Sequence, residues 1–314
     1  MSKERNAILA ARSNELEIVE FTLEYEDGDG VMQRQSFGIS VVKIRSIIQI
    51  PKLTKLPRLH EAVYGVFQLR ESIIPAVDIC RSLFGKPNAG KSQKMIITTF
   101  NNMHLGLIVN EVLSIHRIKW SDIDVPESLG DFGEASSSIV GVIKFDDRNV
   151  LMLDMEKIIA DINPQSAIGV SPQGGRMFDW TPIAVTADDS GTIRKMIGDR
   201  LKKAGFEIHS FNDGKEAWDY LREVSGKIEK GANPDELVNV IITDIEMPRM
   251  NGYELTENIK KDNNLKEIPV LIFSSIVSED LMQRGLDAGA DAQLTKPQIG
   301  ELLETIGNLI GEHA

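Results

Sequence analysis

The sequence has almost no cysteine and no long apolar run, and both absences narrow what the protein can be. Cys80 is the only cysteine in 314 residues, so neither an intrachain disulfide nor a cysteine-rich metal site can form. The five histidines are scattered without the spacing of zinc ligands. No segment approaches the roughly 20 apolar residues of a membrane span, and the apolar run at 7–10 is too short for the core of a signal peptide. We therefore expect a cytoplasmic protein with no direct membrane insertion.

Basic residues are also in the minority. The chain carries 35 lysines and arginines against 47 aspartates and glutamates, a formal net charge of −12. Surfaces that bind nucleic acid need an excess of positive charge to neutralise phosphates, so no nucleic-acid partner is expected. With 42% hydrophobic and 26% charged residues the composition is that of a globular chain, and the length allows two domains with separate cores.

The first half of the chain has the hydrophobic period of β-strands. From Glu17 to about Asp154, apolar and polar residues alternate, as in EIVEFTLEY. Turn sequences such as EDGDG and FNNM separate similar runs, and short helices are predicted at 78–84 and 155–162. Closely spaced strands with little helix favour an antiparallel barrel or sandwich. The β-type runs are SFGISVVKI, VYGVFQL, SIIPAVDI, KMIITTF, HLGLIVNEVLSIHRI, SIVGVIKF and VLMLD.

The second half alternates strands with helices. Residues 161–181 are rich in proline and glycine and are predicted to form a linker. Within 182–314 the predicted strands are PIAVTA, FEIHSF, VNVIITD, IPVLIFSS and DAQLTKP. Five β–α units imply a parallel sheet with helices on both faces. The helices are expected at roughly 191–205, 215–224, 253–261, 279–288 and 299–312.

One stretch, GKPNAGKS at 85–92, matches the pattern of a phosphate-binding loop. Such a loop needs a strand before it and a helix after it. Here DICRSLF, which precedes it, is predicted to be helical, and QKMIITTF, which follows, is predicted to be a strand. Because this order is reversed, we expect the stretch to be a connector and not a nucleotide site.

Polar residues follow four of the predicted strands in the second half: Asp188 and Asp189, then Asp244, Ser274 and Lys296. Ligands of open α/β sheets bind outside the carboxyl ends of the strands, so these side chains are expected to meet at one edge. Clustered carboxylates repel one another unless a cation joins them, and oxygen ligands without histidine or cysteine favour Mg²⁺. Asp244 could then act as a nucleophile that forms an aspartyl-phosphate, with Lys296 neutralising charge and Ser274 donating a hydrogen bond.

Each of these residues also has a purely structural explanation. The run at 188–190 could cap the next helix, Asp244 could belong to a turn, and Lys296 could be a solvated loop lysine. Four coincidences at four strand ends would be needed, which favours one shared site.

Residues 182–314 resemble the receiver domain of two-component response regulators, a flavodoxin-like fold. The resemblance rests on the acidic pair, on ITDIEMPRMNGYEL around Asp244, on Ser274 in PVLIFSS and on Lys296 before a proline. It implies Mg²⁺-dependent phosphorylation of Asp244, with the metal held by Asp188, Asp189, Asp244 and the backbone carbonyl of Glu246.

Some positions of this half depart from the receiver pattern or tune it. Gln293 stands where the family has an aromatic switch residue, which puts the usual ring-rotation output in doubt. Glu246 and Ile276 stand where the family tunes the lifetime of the phosphoryl group, and an apolar Ile276 predicts slow dephosphorylation. The stretch REVSGKIEKGANPDELV is longer than usual and predicts an extended second helix and loop.

Residues 14–160 resemble the chemotaxis coupling (CheW-like) domain, a pair of small β-barrels. The resemblance is carried by VYGVFQLRESIIPAVDICR. It implies that Gly65 and Arg70 contact receptors and that Ile44 lies at a third such position, although the alternating context of Ile44 suits a core residue equally well. Gln68 and Glu71 replace the asparagine and glycine that are usual in the family.

A coupling domain followed by a receiver resembles the CheV-type proteins of bacterial chemotaxis over nearly the whole chain. The resemblance implies a non-enzymatic adaptor at chemoreceptor arrays, which couples the cytoplasmic tips of chemoreceptors to the chemotaxis histidine kinase and takes a phosphoryl group from it. A structural scaffold without phosphorylation is an open alternative. An aspartyl-phosphate phosphatase of the haloacid-dehalogenase kind is another, because Glu246 follows Asp244 by two residues, but that family has its nucleophile after the first strand.

Overall fold

The computed structural model describes residues 15–57, 59–90, 93–100, 103–125, 138–162, 177–275 and 279–313. The chain divides into two compact units, with described residues 16–162 in one and 177–313 in the other. Within these ranges no helix is long and apolar enough to cross a membrane.

The first unit is built from two sheets. One six-stranded sheet has the order β8-β1-β2-β11-β10-β9, and one five-stranded sheet has the order β3-β6-β7-β5-β4. The pairs β1–β2, β9–β10, β10–β11, β3–β6, β4–β5 and β6–β7 are antiparallel, and the pairs β2–β11 and β5–β7 are parallel. The strands are β1 (Glu15–Glu26), β2 (Met32–Ser40), β3 (Ile44–Gln49), β4 (Val63–Leu69), β5 (Ser72–Asp78), β6 (Lys94–Phe100), β7 (Met103–Val109), β8 (Glu111–Lys119), β9 (Ile123–Asp124), β10 (Ile139–Lys144) and β11 (Asn149–Leu153).

Each sheet curls round a core of its own. In the six-stranded sheet, Ile118 of β8 and Ile123 of β9 pack in one cluster although these strands are at opposite ends of the order. In the five-stranded sheet, Thr54 closes onto β4 through a pair of hydrogen bonds with Val66, 2.8 and 2.9 Å long. The expected pair of small β-barrels is confirmed. A third core lies between the sheets, with Phe21, Phe37, Val77, Ile96, Leu107 and Ile158 among its members.

Two predicted strands each turn out to be two strands. The run SFGISVVKI is broken at the 3₁₀ turn Val41–Lys43, so β2 and β3 belong to different sheets. HLGLIVNEVLSIHRI is broken at Asn110, whose N–H donates to Thr22 O (2.9 Å) and whose Oδ1 accepts from Glu24 N (2.8 Å). These bonds turn the chain from one sheet into the other. Apolar alternation continues through both breaks, which is why the sequence pattern predicted single strands.

The short helices of the first unit are α1 (Ile79–Phe84) and α2 (Met155–Ile162), close to the predicted positions. Gly85 ends α1 in the left-handed conformation (φ 65°), and the chain then enters the stretch GKPNAGKS. Asn88 N donates to Asp78 Oδ2 at 3.1 Å and Ala89 N to Glu24 O at 2.9 Å, while Lys91 and Ser92 lie outside the described residues. Since β6 follows, the predicted order of helix, loop and strand is confirmed.

The second unit is a five-stranded parallel sheet, as predicted, and its strand order is β13-β12-β14-β15-β16. Its strands are β12 (Ile183–Ala187), β13 (Glu207–Phe211), β14 (Val240–Thr243), β15 (Val270–Ser274) and β16 (Ala292–Thr295). Its helices are α3 (Gly191–Lys203), α4 (Gly214–Glu229), α5 (Gly252–Lys261), α6 (Glu279–Asp287) and α7 (Leu302–His313). Because both faces of the sheet are covered, successive strand residues enter different cores: Ala184 and Ile242 one, Val185 and Ile241 the other.

Side chains at the helix starts explain the local geometry near the sheet edge. Ser190 caps α3 by accepting from Ile193 N (3.5 Å), and Asn251 caps α5 by accepting from Glu254 N (2.9 Å).

Helix α4 runs five residues past the predicted end, as the long intervening stretch suggested, and Ser225 Oγ anchors it to Asp262 at 3.0 Å. Helix α7 starts at Leu302, later than predicted, because the chain before it is still bonded in three-residue turns: Glu301 N donates to Gln298 O at 2.8 Å and Leu302 N to Ile299 O at 3.4 Å.

Candidate functional site

The polar residues at the strand ends meet at the carboxyl edge of the parallel sheet. Asp188, Asp244 and Lys296 are almost fully buried there, with 1, 4 and 3% of their surface exposed. Lys296 Nζ lies 2.9 Å from Asp188 Oδ2 and 2.9 Å from Asp244 Oδ2. Strands β12, β14 and β16 therefore bring a lysine between two carboxylates, where its charge offsets part of their repulsion.

The two oxygens of Asp244 have different partners. Oδ2 accepts from Lys296, and Oδ1 accepts from the N–H of Ile245 at 2.7 Å. The hydroxyl of Thr243 donates to Asp244 O at 2.9 Å, which holds the backbone where β14 ends. The carboxylate is thus fixed in orientation at the edge of the sheet.

Asp189 completes an acidic cluster. One carboxylate oxygen each from Asp188, Asp189 and Asp244 lies within 4.8 Å of the other two. Asp188 Oδ1 accepts from Ser190 N at 2.9 Å, which orients that carboxylate. The set offers only hard oxygen atoms, and the single lysine at its centre contacts two of three negative charges. These residues therefore fit a divalent cation of the Mg²⁺ type.

Ser274, the predicted hydrogen-bond donor, is at the same edge. It is the last residue of β15, is buried, and pairs in register with Thr295, which directly precedes Lys296. Ile276, for which we predicted an effect on phosphoryl lifetime, lies outside the described residues.

Two residues that the sequence pattern did not single out also lie near the site. Arg194 of α3 donates from Nη1 to the backbone carbonyl of Asp188 at 2.7 Å. Tyr253 of α5 donates its hydroxyl to Leu281 O at 3.0 Å. Burial raises the pKa of Tyr253 to about 12, and the carboxylates of Glu246 and Asp244 act in the same direction. Both residues lie on helices and approach the site only through their long side chains. A search for polar residues at strand ends therefore could not find them.

Gln293, at the position of the missing aromatic residue, is held against α6. Its Nε2 donates to Met282 O at 2.6 Å. A Cβ atom added to Gly285 would come within 2.5 Å of Gln293 Oε1, so the absence of a side chain at 285 makes room for the amide. Gln293 therefore joins β16 to α6 by a polar contact.

The three candidate receptor-binding residues of the first unit have different surroundings. Gly65 is buried, and a Cβ atom there would lie 2.8 Å from Thr54 O, at the bridge that closes the five-stranded sheet. Ile44 is half-buried and packs against the core between the sheets. Arg70 is exposed in the turn between β4 and β5, with φ 55°. Gly65 and Ile44 have packing reasons for their identity, whereas Arg70 presents its guanidinium group to solvent.

Comparison with known proteins covers both units. Residues 31–163 match the CheW-like domain family, and residues 184–307 match the response regulator receiver domain family. The chain is 30% identical to chemotaxis protein CheV3 of Helicobacter pylori over 305 residues, 96% of each chain. It is 26% identical to chemotaxis protein CheV2 of the same organism over 310 residues, 94% of each chain. Among solved structures, the receiver domain of Francisella response regulator 1452 is 29% identical, with a TM-score of 0.36, and the match covers 43% of this chain and 100% of that one.

Proposed function

The chain belongs to the CheV-type chemotaxis proteins, a CheW-like domain followed by a receiver, and from this we propose that it is a signalling adaptor regulated by phosphorylation. Residues 14–160 would couple the cytoplasmic tips of chemoreceptors to the chemotaxis histidine kinase. Residues 182–314 would receive a phosphoryl group from that kinase, and 161–181 would link the two domains. The adaptor would work in the cytoplasm at chemoreceptor arrays, and it would not itself turn over a substrate.

The observation that carries the proposal is the position of Lys296 between Asp188 and Asp244, 2.9 Å from an oxygen of each. A buried lysine among carboxylates is a costly arrangement to maintain for stability alone. It suits a site where further negative charge has to be accepted, because the positive charge is already in place. The arrangement supports a receiver that accepts a phosphoryl group over a scaffold without phosphorylation.

In the proposed reaction a carboxylate oxygen of Asp244 attacks the phosphorus of a phosphohistidine. The new P–O bond forms as the P–N bond breaks, and the departing imidazole nitrogen takes up a proton. Lys296 Nζ remains beside the carboxylate and offsets the added charge, while the Ser274 hydroxyl donates a hydrogen bond to a phosphoryl oxygen. Bound Mg²⁺ would supply positive charge for the phosphoryl oxygens. The residues proposed to hold it are Asp188, Asp189, Asp244 and the backbone carbonyl of Glu246.

The test is labelling of the full chain by a phosphorylated histidine kinase and, separately, by acetyl phosphate. We expect a hydroxylamine-sensitive label that needs Mg²⁺ and disappears in Asp244→Asn. Asp199→Asn, which changes an exposed aspartate of α3, is the matched control and should label like the wild type. Wild-type protein that takes no label under either condition would leave the scaffold without phosphorylation as the better description.

The coupling role needs a separate measurement. In reconstituted arrays of receptors and kinase, we expect Arg70→Ala to reduce kinase control by the adaptor, because Arg70 is an exposed residue of the proposed receptor contact. Arg117→Ala, on the six-stranded sheet, is the control.

Kinase output should also differ between wild type and Asp244→Asn under phosphorylating conditions. Identical outputs would contradict regulation through the receiver.

A further inference from the structure

The loop that follows Asp244 contains a residue in an unusual backbone conformation. Arg249 has φ 61°, in the left-handed region that a residue with a side chain adopts only at some energetic cost. Its side chain reaches across to the start of α4. There Nε donates to Asp213 Oδ2 at 2.5 Å, and Nη2 donates to Glu216 Oε1 at 2.6 Å and also pairs with Asp213.

The burial of Asp213 makes its ion pair with Arg249 a strong interaction. Asp213 is fully buried and also caps α4 by accepting from Glu216 N at 2.9 Å. Without the guanidinium group its carboxylate would be left buried without a matching charge, which is strongly unfavourable. The backbones are in contact as well, since a Cβ atom on Gly214 would lie 2.5 Å from Met250 O. The middle of the loop is therefore anchored to α4.

Both ends of the same loop lie at Asp244. Gly252 N donates to Ile245 O at 3.0 Å, which closes the loop at its base. A Cβ atom on Gly252 would come within 2.0 Å of Asp244 O, so the start of α5 is pressed against the backbone of the acceptor residue. Glu246 lies within this closed loop, three residues before Arg249. The ion pair at Arg249 thus restrains the segment that carries the Glu246 carbonyl.

We propose that Arg249 is a positioning residue for the cation site, and that its ion pair with Asp213 holds the loop so that the Glu246 carbonyl can act with the carboxylates of Asp188, Asp189 and Asp244. The inference rests on the Mg²⁺ site of the proposed function and adds to it a residue that acts through the backbone. Groups that orient metal ligands in this way change metal affinity by about 10- to 100-fold when they are removed.

Arg249→Gly is the informative variant, because glycine adopts φ 61° without strain and only the ion pair is lost. Mg²⁺ binding to the full chain, without phosphodonor, is measured by isothermal titration calorimetry. We expect the half-saturating Mg²⁺ concentration to rise about tenfold. Arg249→Lys keeps the charge but not the bidentate contact, so its half-saturating Mg²⁺ concentration should lie between those of Arg249→Gly and the wild type. Arg222→Ala, which removes an exposed arginine of α4, should bind like the wild type.

A second readout separates positioning from general damage to the domain. In the labelling assay, phosphoryl transfer to Arg249→Gly should be slower than to the wild type at low Mg²⁺. Once Mg²⁺ saturates the site, its labelling rate should come within about twofold of the wild-type rate, since the other ligands are unchanged. Slow labelling at every Mg²⁺ concentration, or unaltered Mg²⁺ affinity in a folded Arg249→Gly, overturns the inference. If that variant does not fold, Asp213→Asn decides, because asparagine still caps α4 but carries no charge and cannot form the ion pair with Arg249.

The outcomes also separate this inference from the function on which it rests. Wild-type protein that binds Mg²⁺ but accepts no phosphoryl group would refute the phosphorylation proposal and leave the role of Arg249 to be decided by calorimetry. Wild-type protein that binds no Mg²⁺ would refute both.

Discussion

Replacing Lys296 by methionine would keep most of the apolar stem of this side chain and remove its charge from the centre of the acidic edge. Nζ lies 2.9 Å from Asp188 Oδ2 and 2.9 Å from Asp244 Oδ2, and Lys296 is only 3% exposed. Removing one partner of a buried ion pair costs about 3–5 kcal/mol, because the remaining charge stays in a medium of low polarity. In this site two carboxylates lose their partner, with Asp189 close to both. We expect Lys296→Met to lose about 3–5 kcal/mol of unfolding free energy in EDTA.

The same reasoning predicts how Mg²⁺ changes the result. A divalent cation bound by the three carboxylates would restore positive charge to the cluster, so the stability difference between Lys296→Met and wild type should shrink in saturating Mg²⁺. Urea unfolding followed by tryptophan fluorescence measures both differences. A Trp120→Phe background leaves Trp180 and Trp218, which lie in the second unit, as the reporters.

Lys261→Met is the matched control for this experiment. Lys261 is 70% exposed and pairs with Glu257 on the surface of α5, so its loss should change stability by no more than about 1 kcal/mol. Lys296→Met that unfolds in EDTA at the wild-type urea concentration would refute the reasoning, since it would mean that the clustered carboxylates do not need the lysine charge.

Other predictions concern the first unit. Arg148, in hydrogen-bond contact with the buried Glu20, lowers the pKa of that carboxyl from 4.5 to about 2. Because its pKa is lowered in the folded state, Glu20 contributes stability that is fully present above pH 4.5 and is lost as the pH falls towards 2. Between these pH values the free energy of unfolding of the wild type should fall by roughly 3 kcal/mol more than expected without this group, and Glu20→Gln should show little of that loss. Burial raises the pKa of the Cys80 thiol to about 12, so Ellman's reagent should react with it at pH 8 only after denaturant is added. Gly65→Ala would bring a methyl group to 2.8 Å from Thr54 O and should reduce the free energy of unfolding by about 1–3 kcal/mol. The melting temperature should fall accordingly, and an unchanged melting temperature would exclude packing as the reason for this glycine.

The sequence revealed the class of each unit and most of its elements, but not where the first unit passes from one sheet to the other. Periodicity reports which residues alternate between two faces, and it continues through the 3₁₀ turn Val41–Lys43 and through Asn110. What breaks the strands there is hydrogen bonding to other parts of the chain, such as that of Asn110 with β1. Contacts between segments far apart in sequence have no signature in a local pattern. The pairing of Arg249 with Asp213, 36 residues away, escaped prediction for the same reason.

The main site could be predicted because its geometry depends on strand register and hardly at all on loop length. Ala187 pairs with Thr243 in the sheet, so the next residue on each strand, Asp188 and Asp244, must be adjacent whatever the length of the chain between them. The long α4 lies within that connection and leaves the pairing unchanged. Ser274 and Thr295 pair in the same way and bring Lys296 to the edge. By contrast, GKPNAGKS matched a phosphate-binding pattern letter by letter but is followed by a strand, so the amide groups of a helix start are missing where a phosphate would need them. Topology around a motif therefore decides its chemistry more reliably than the motif does.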